Sequence, residues 1–324
     1  MRNTFARLMT DYAASREELV LLYADIGNRL FNPLKDIAGP RTINAGIAES
    51  NMISMAAGMA KEGLRPVCYT ITPFTTSRNY EQIKIDVAYQ NLPVIIVGTG
   101  SGMSYANLGP THHSFEDIAI MRALPNMQIV CPADSKELAA LFPQVLAHDG
   151  PTYVRIGKKN EPDCYPHLVA GELPTIQVGK AAVLSEFAQS PTPSPKIAIV
   201  ANGTILPLAQ QLHATLADQG ANVHLASIAT VKPLDTQYLQ KISASADVVI
   251  AIEEHGLAGG FTGALAEWWV DQPETPHAKL LRFGLPDQFI DRVHSRDDAL
   301  AAAKLALEPI CEALCNRGIL ATRC

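Results

Sequence analysis

The sequence predicts an α/β protein of two domains, each a mostly parallel sheet with helices on both faces, and three observations lead there. Short β-branched runs alternate with helical patterns, the signature of parallel strands joined by helical crossovers. The alternation stops once, from about residue 157 to 195, in a proline-rich stretch without periodicity that ends in "SPTPSP", and then resumes. At 324 residues the chain is also too long for one small core and suits two domains of ordinary size. The expected division is a first domain over 1–160, a connection over 161–195 and a second, smaller domain over 196–324.

The N-terminus, "MRNTFARLMTDYAASREEL", spaces Phe5, Leu8, Met9 and Tyr12 as one face of a helix. It lacks the continuous apolar centre of a signal peptide, so a cytoplasmic protein is expected. Strands are predicted at 19–24, 41–44, 66–72, 93–99, 127–131 and 152–156, with helices near 49–62, 78–91, 114–124 and 135–148. After the connection come a strand at 196–201, a helix through "PLAQQLHATLADQG", a strand at 221–228, a helix after "KPLD" and a strand at 247–252. Apolar runs such as "LPVIIVG" have strand length and fall short of a bilayer span.

The formal charge is -6 and no basic run occurs, which excludes nucleic-acid binding driven by phosphate neutralisation. The cysteines, at 68, 131, 164, 311, 315 and 324, form no C-x-x-C pair. Neither a zinc ribbon nor a redox motif is signalled, and they read as reduced thiols, several of them buried as small hydrophobes.

Four stretches carry chemistry. In "RTINAGIAESNMISMAAGMAKEG", Met52, Met55, Ala56, Met59 and Ala60 share a helical face, Gly63 supplies a stop, and Glu49 sits alone in the first turn. Its charge there meets the positive end of the helix dipole, worth about 0.3 to 1 kcal/mol. The functional alternative is a desolvated acid at a strand-to-helix switch point, where α/β proteins place ligand chemistry. "GTGSGMSYANLGPTHHSFED" has three glycines in five residues, a weak phosphate-loop signal. It then carries His112 and His113 beyond a strand, either as solvated loop residues or as donors to a substrate oxygen. "EEHGLAGG" (253–260) holds adjacent acids and a histidine after a strand; neighbours rarely converge on one metal, so a structural or interface role is expected. "RIGKKN" groups Arg155, Lys158 and Lys159 as an anion-holding edge or a solvated cluster.

Taken in order, these segments resemble the second half of a transketolase. The ordered set is "AGIAESNMISMAAGMAKEG", "PFTTSRNYEQI", "NLPVIIVGTGSG" and "LGPTHHSFEDIAIMRALPNMQIVCPAD", then "TVKPLD" and "EEHGLAGG" in the second domain. The resemblance implies a thiamine-diphosphate pyrimidine-binding fold followed by a transketolase C-terminal-like fold. The diphosphate-binding half, with its G-D-G motif and following asparagine, has no match here. The resemblance therefore implies a split enzyme, heterotetrameric with two copies of each subunit. The partner would hold Mg²⁺ and the diphosphate, and this chain would be inert alone.

Within that resemblance Glu49 matches the acid that exchanges a proton with pyrimidine nitrogen N1′, favouring the imino tautomer that takes the thiazolium C2 proton; burial adjusts such an acid. Phe74 resembles the aromatic that stacks on the pyrimidine, Arg78 lies in the same cofactor segment, and Asp25 in "YADIGN" matches an acid near the cofactor. His112 matches a histidine that contacts donor oxygens, with His113 beside it for proton handling, and Lys158 falls where relatives often carry a phosphate-holding arginine. Gly100 and Ser101 take substrate positions but depart from the pattern. Sugar-phosphate transketolases usually have histidine at Gly100 and aspartate at Leu108, and deoxyxylulose-phosphate synthases have arginine at Ser101. Each departure removes a polar contact that would select a donor. Transfer of a two-carbon ketol unit from a ketose, phosphorylated in the family's usual substrates, to an aldehyde is the leading expectation. A deoxyxylulose-phosphate-synthase-like or 2-oxoacid-dehydrogenase β-type subunit, and a non-catalytic scaffold, are the alternatives.

Overall fold

A computed structural model describes residues 1–27, 29–169, 171–189, 194–274, 276–291 and 293–320. The first half supplies β1 (Leu19–Tyr23), β2 (Thr42–Asn44), β3 (Arg65–Ile71), β4 (Ile95–Thr99), β5 (Gln128–Val130) and β6 (Thr152–Ile156). The second supplies β7 (Ala182–Ser185), β8 (Lys196–Asn202), β9 (Asn222–Ser227), β10 (Thr230–Lys232), β11 (Val248–Gly256) and β12 (Lys279–Leu285). They form a seven-stranded sheet in the order β10-β5-β6-β4-β3-β1-β2 and a five-stranded sheet in the order β12-β11-β8-β9-β7. Every pairing is parallel except the two edges, β10 on β5 and β7 on β9.

β1 shows why the first sheet needs cover on both faces. All five of its residues are buried, and alternate side chains point to opposite sides. Leu19, Leu21 and Tyr23 pack with Phe5 of the helix Arg2–Ala13, while Val20 and Leu22 meet Met52, Ile53 and Ala56 of the helix Glu49–Lys61. Phe5 is the hub of the first set. Its ring stacks on Tyr69 at 5.2 Å and meets Phe31 and Phe142 edge-on.

The two sheets are not independent bodies. One apolar cluster runs from Met52 and Ile96 through Ile118 and Met121 to Val249, Phe261 and Leu265 of the second sheet and its helix. The chain also crosses between them, because β10 lies after β9 in sequence yet closes the edge of the first sheet. This strand and β12 were not legible in sequence. β10 is three residues long, and its pairing partner β5 is a hundred residues away in the other half. β7 lies within the stretch read as aperiodic connection; most of "SPTPSP" falls outside the described residues.

Three further expectations need correction. The helix expected over 78–91 is broken into a 3₁₀ turn (Ser77–Asn79), one α turn (Tyr80–Gln82) and a π segment (Ile83–Ala88). Glu253, Glu254 and His255 are not in a loop after a strand but inside β11. Cys68, Cys131 and Cys164 are buried free thiols, whereas Cys311 is disulfide-bonded. No helix among the described residues is long and apolar enough to cross a membrane.

Phe5→Ala is expected to destabilise the chain by about 3 to 5 kcal/mol, since it leaves a cavity among three aromatic rings. Urea unfolding followed by circular dichroism measures this; a loss under about 1 kcal/mol would mean that the N-terminal helix is not part of the core.

Candidate functional site

Parallel strands bring their carboxyl ends to one edge of a sheet, and ligands of open α/β folds bind there. Asp25 follows β1, Glu49 follows β2, residues 72–78 follow β3, residues 100–113 follow β4 and Lys158 follows β6. Segments distant in sequence thus share one edge of the seven-stranded sheet.

Glu49 is the first residue of its helix and is 6% exposed. Its Oε1 accepts from Arg78 Nη1 at 2.8 Å. The same guanidinium lies over the Phe74 ring, its carbon 4.1 Å from the centroid. Phe74 in turn meets His112 edge-on at 5.3 Å, His112 lies 5.8 Å from the Tyr105 ring, and the Lys158 ammonium sits 4.0 Å from the Tyr105 centroid. Five expected residues, Glu49, Arg78, Phe74, His112 and Lys158, therefore form one connected series with Tyr105. The segment after β3 is pinned to the helix of Glu49, because Ser50 donates to Asn79 Oδ1 and Asn79 Nδ2 donates to the Phe74 carbonyl. Asp25 stands apart at the end of β1, in a left-handed conformation (φ 43°) and accepting from Asn44 Nδ2.

Gly100 has a positive φ of 75°, and a Cβ there would lie 2.0 Å from Tyr105 Cε2. The tyrosine ring therefore occupies the space that a side chain at position 100 would need. The adjacent Ser101 hydroxyl is buried without a hydrogen-bond partner. Such a group costs desolvation energy unless something else satisfies it.

His113 faces a cleft of about 1100 Å³ that is also lined by Phe74, Arg78, Thr111, Phe115 and Phe289. Its ring is nearly parallel to Phe115 at 5.6 Å. Burial pushes its pKa below the usual histidine range, the Ala106 carbonyl partly offsetting this. Burial also lowers the pKa of His112, helped by the positive charges of Lys158 and Arg78. Both rings are held toward the neutral form, which accepts or donates a proton at neutral pH.

Arg155, grouped with the lysines in sequence, is not a surface cation. It is 2% exposed and donates through Nε to Asp117 Oδ2 at 2.7 Å. Burial alone would lower its pKa, but Asp117 reverses this and raises it; for Asp117, the cost of burial is outweighed by Arg155 and then by His255. Tyr105 and this buried pair were missed in sequence. An aromatic inside a glycine-rich loop was the one available signal for Tyr105. The pair had none, its members being 38 positions apart. No group of three His, Cys, Asp or Glu that could hold a metal occurs among the described residues.

With this geometry in view, two family models match the chain: the transketolase pyrimidine-binding domain over residues 1–162 and the transketolase C-terminal domain over 188–308. The 6-deoxy-6-sulfo-D-fructose transketolase subunit of Clostridium sp. (strain MSTE9) is 33% identical over 292 residues, spanning 89% of this chain and 85% of that protein. The 1-deoxy-D-xylulose-5-phosphate synthase of Acidobacterium capsulatum is 33% identical over 300 residues, but those span 92% of this chain and 45% of the synthase. Among solved structures, a split-gene transketolase in an inactive β4 tetramer superposes with a TM-score of 0.84 at 26% identity, covering 98% of this chain and 97% of that one.

Five histidines, at 112, 113, 148, 213 and 224, have pKa values lowered chiefly by burial. The unfolded chain then binds more protons than the folded one below about pH 6.5, so stability is full above that value and falls as pH drops through the window beneath it. The urea midpoint should hold from about pH 7.5 to pH 6.5 and decline from there to about pH 5.5, and His113→Gln should flatten that slope. A midpoint that rose on acidification would reverse the sign of these shifts.

Proposed function

The chain belongs to the transketolase family, carrying its pyrimidine-binding and C-terminal domains in tandem, and on that premise we propose that it is the pyrimidine-binding subunit of a split, thiamine-diphosphate-dependent transketolase. The reaction is transfer of a two-carbon ketol unit from a ketose, phosphorylated at its far end, to an aldehyde.

The observation that carries this reading is the Arg78 guanidinium. A flat group bearing N–H donors already lies against the Phe74 face while donating to the buried Glu49 carboxylate. Phe74 and Glu49 therefore suit a planar, nitrogen-bearing ring such as the aminopyrimidine, which asks for the same apolar face and the same acceptor. When bound, thiamine diphosphate would supply a carbon nucleophile able to carry the ketol unit.

This chain's own residues have the following tasks in the proposal. Glu49 holds and exchanges a proton at ring nitrogen N1′, a role suited to its low exposure, since a dry site strengthens a hydrogen bond and shields it from competing water. Phe74 orients the ring, and Arg78, 46% exposed, is free to turn outward when the ring takes its place. Asp25 lies on the same edge as a further cofactor contact. His112 and His113, held neutral, bind donor oxygens and relay protons. Lys158 faces the phosphate end, and the unpartnered Ser101 hydroxyl beside Gly100 is available to a donor oxygen. Mg²⁺ and the diphosphate fall to the partner subunit, in an assembly of two copies of each chain. The relative solved as an inactive β4 tetramer supports self-association of this chain when it is alone.

The synthase relatives of equal identity make the donor the point to test. Copurified with a protein carrying the G-D-G half and supplied with thiamine diphosphate and Mg²⁺, the pair should transfer ketol units from ketose phosphates and show no turnover with pyruvate. The isolated chain should be inert. Glu49→Ala should lower turnover by about 10² to 10⁴-fold. Intact ketol transfer in that variant would leave only the scaffolding role, and turnover with pyruvate would favour the synthase-like or dehydrogenase-like alternative.

A further inference from the structure

The segment that carries His112 and His113 is tied to the first domain, where Ser101 N donates to the Ile156 carbonyl and Ser114 Oγ to Asp117 Oδ1, and equally to the second. Its two arms are bridged internally between Gly102 and Ser114, Ser114 N donating to the Gly102 carbonyl and Gly102 N to Ser114 Oγ. Beyond that, Met103 N donates to Glu254 Oε1 at 2.7 Å, Gly256 N donates to the Phe115 carbonyl at 2.9 Å, and Val293 N donates to the Ala106 carbonyl at 3.1 Å. Arg155 of β6, in the first sheet, joins the two sides by donating from Nη2 to both the Ser114 and the Glu254 carbonyls.

Glu254 is the centre of this clamp. It is fully buried in β11, and successive residues of a strand face opposite ways. Glu253 therefore serves another element, accepting from Phe261 N, Thr262 N and Thr262 Oγ1 at the start of the helix Phe261–Val270. Glu254 instead turns to the loop. Its Oε1 takes the Met103 amide, its Oε2 takes the Thr204 hydroxyl at 2.9 Å, and the Arg296 guanidinium pairs with both oxygens. The fit is close: a Cβ on Gly102, which has a positive φ of 59°, would lie 2.5 Å from Glu254 Oε1. Neither the acid nor its arginine reaches the cleft, so they act through the loop backbone.

We propose that Glu254 is a positioning residue of the reaction, fixing through the Met103 amide the loop that presents His112 and His113, and that the C-terminal domain thereby sets the substrate side of the site. The catalytic part rests on the function proposed above; the positioning part does not. Glu254 stays ionised in this setting, because burial would raise its pKa but Arg296 more than offsets that and lowers it.

The test separates the two parts. In the full chain, Glu254→Gln should speed hydrogen exchange by about tenfold or more in peptides covering 101–115, with little change elsewhere. The C2 proton of His113, followed by NMR, should titrate closer to the ordinary value of about 6.5 as the ring gains access to water. Thr204→Val, a milder change on the same carboxylate, should move both readouts the same way by less and serves if the first variant does not fold. In the reconstituted pair, the KM for the ketose should rise about fivefold or more while the cofactor requirement holds. Unchanged exchange and titration in the variants would overturn the proposal, as would acceleration spread evenly over both sheets. Loss of loop protection in a pair whose wild type never transfers ketol units would overturn the proposed function and leave the positioning intact.

Discussion

The buried ion pair of Asp117 and Arg155 is the constraint on which the arrangement depends. Both side chains are within 2% of complete burial, and the pair stands where three things meet: β6, the start of the helix Asp117–Arg122, and Glu254 and His255 of β11. A buried charge that loses its partner costs about 3 to 5 kcal/mol, so each side chain compels the other's position. Tyr153 OH and Ser114 Oγ donate to the remaining carboxylate lone pairs, and the spare Arg155 donors reach the Ser114 and Glu254 carbonyls. Both Asp117 oxygens and the Nε and Nη2 of Arg155 are thus hydrogen-bonded. The pair ties the histidine loop, the first sheet and the second sheet into one object.

From that fixed point the site follows by geometry. Parallel strands bring β1, β2, β3, β4 and β6 to a common edge, and the loop tied to Asp117 folds His112 back over Phe74. Arg78 then closes the series by spanning Phe74 and Glu49. An acid that is nearly buried at a helix start gains from the dipole, yet that gain is small beside the cost of dehydrating a carboxylate. The guanidinium supplies the rest. Its exposure makes it a replaceable partner, in contrast with Arg155, which is locked.

Much of the fold was legible because periodicity is local. The alternation of apolar runs located the central parallel strands, and the spacing in "ESNMISMAAGMAK" located the helix of Glu49. What failed to show were short edge strands such as β10, whose existence depends on an edge made by residues far away. The run "SRNYEQIKIDVA" read as one helix, but its first residues form a 3₁₀ turn anchored through Asn79 to Ser50 and the Phe74 carbonyl, and Ile83–Ala88 form a π segment. "EEHG" read as a loop motif because adjacent charges are rare in a buried strand; each acid has a separate set of donors from another element, which periodicity does not reveal.

The sequence by itself determined the fold class, the order of motifs and the family, and named Glu49, Phe74, Arg78, His112 and Lys158 as candidate site residues. Tertiary structure alone decided that Arg78 bridges Glu49 and Phe74, that Tyr105 fills the space over Gly100, that Arg155 is an internal strut and that Glu254 holds the Met103 amide. The physical reason is range. Backbone propensity and apolar periodicity act over a few residues and leave their mark on the string. The buried charges of Arg155 and Glu254 are permitted by partners brought from 38 to 151 positions away, and those exist only once the chain has folded.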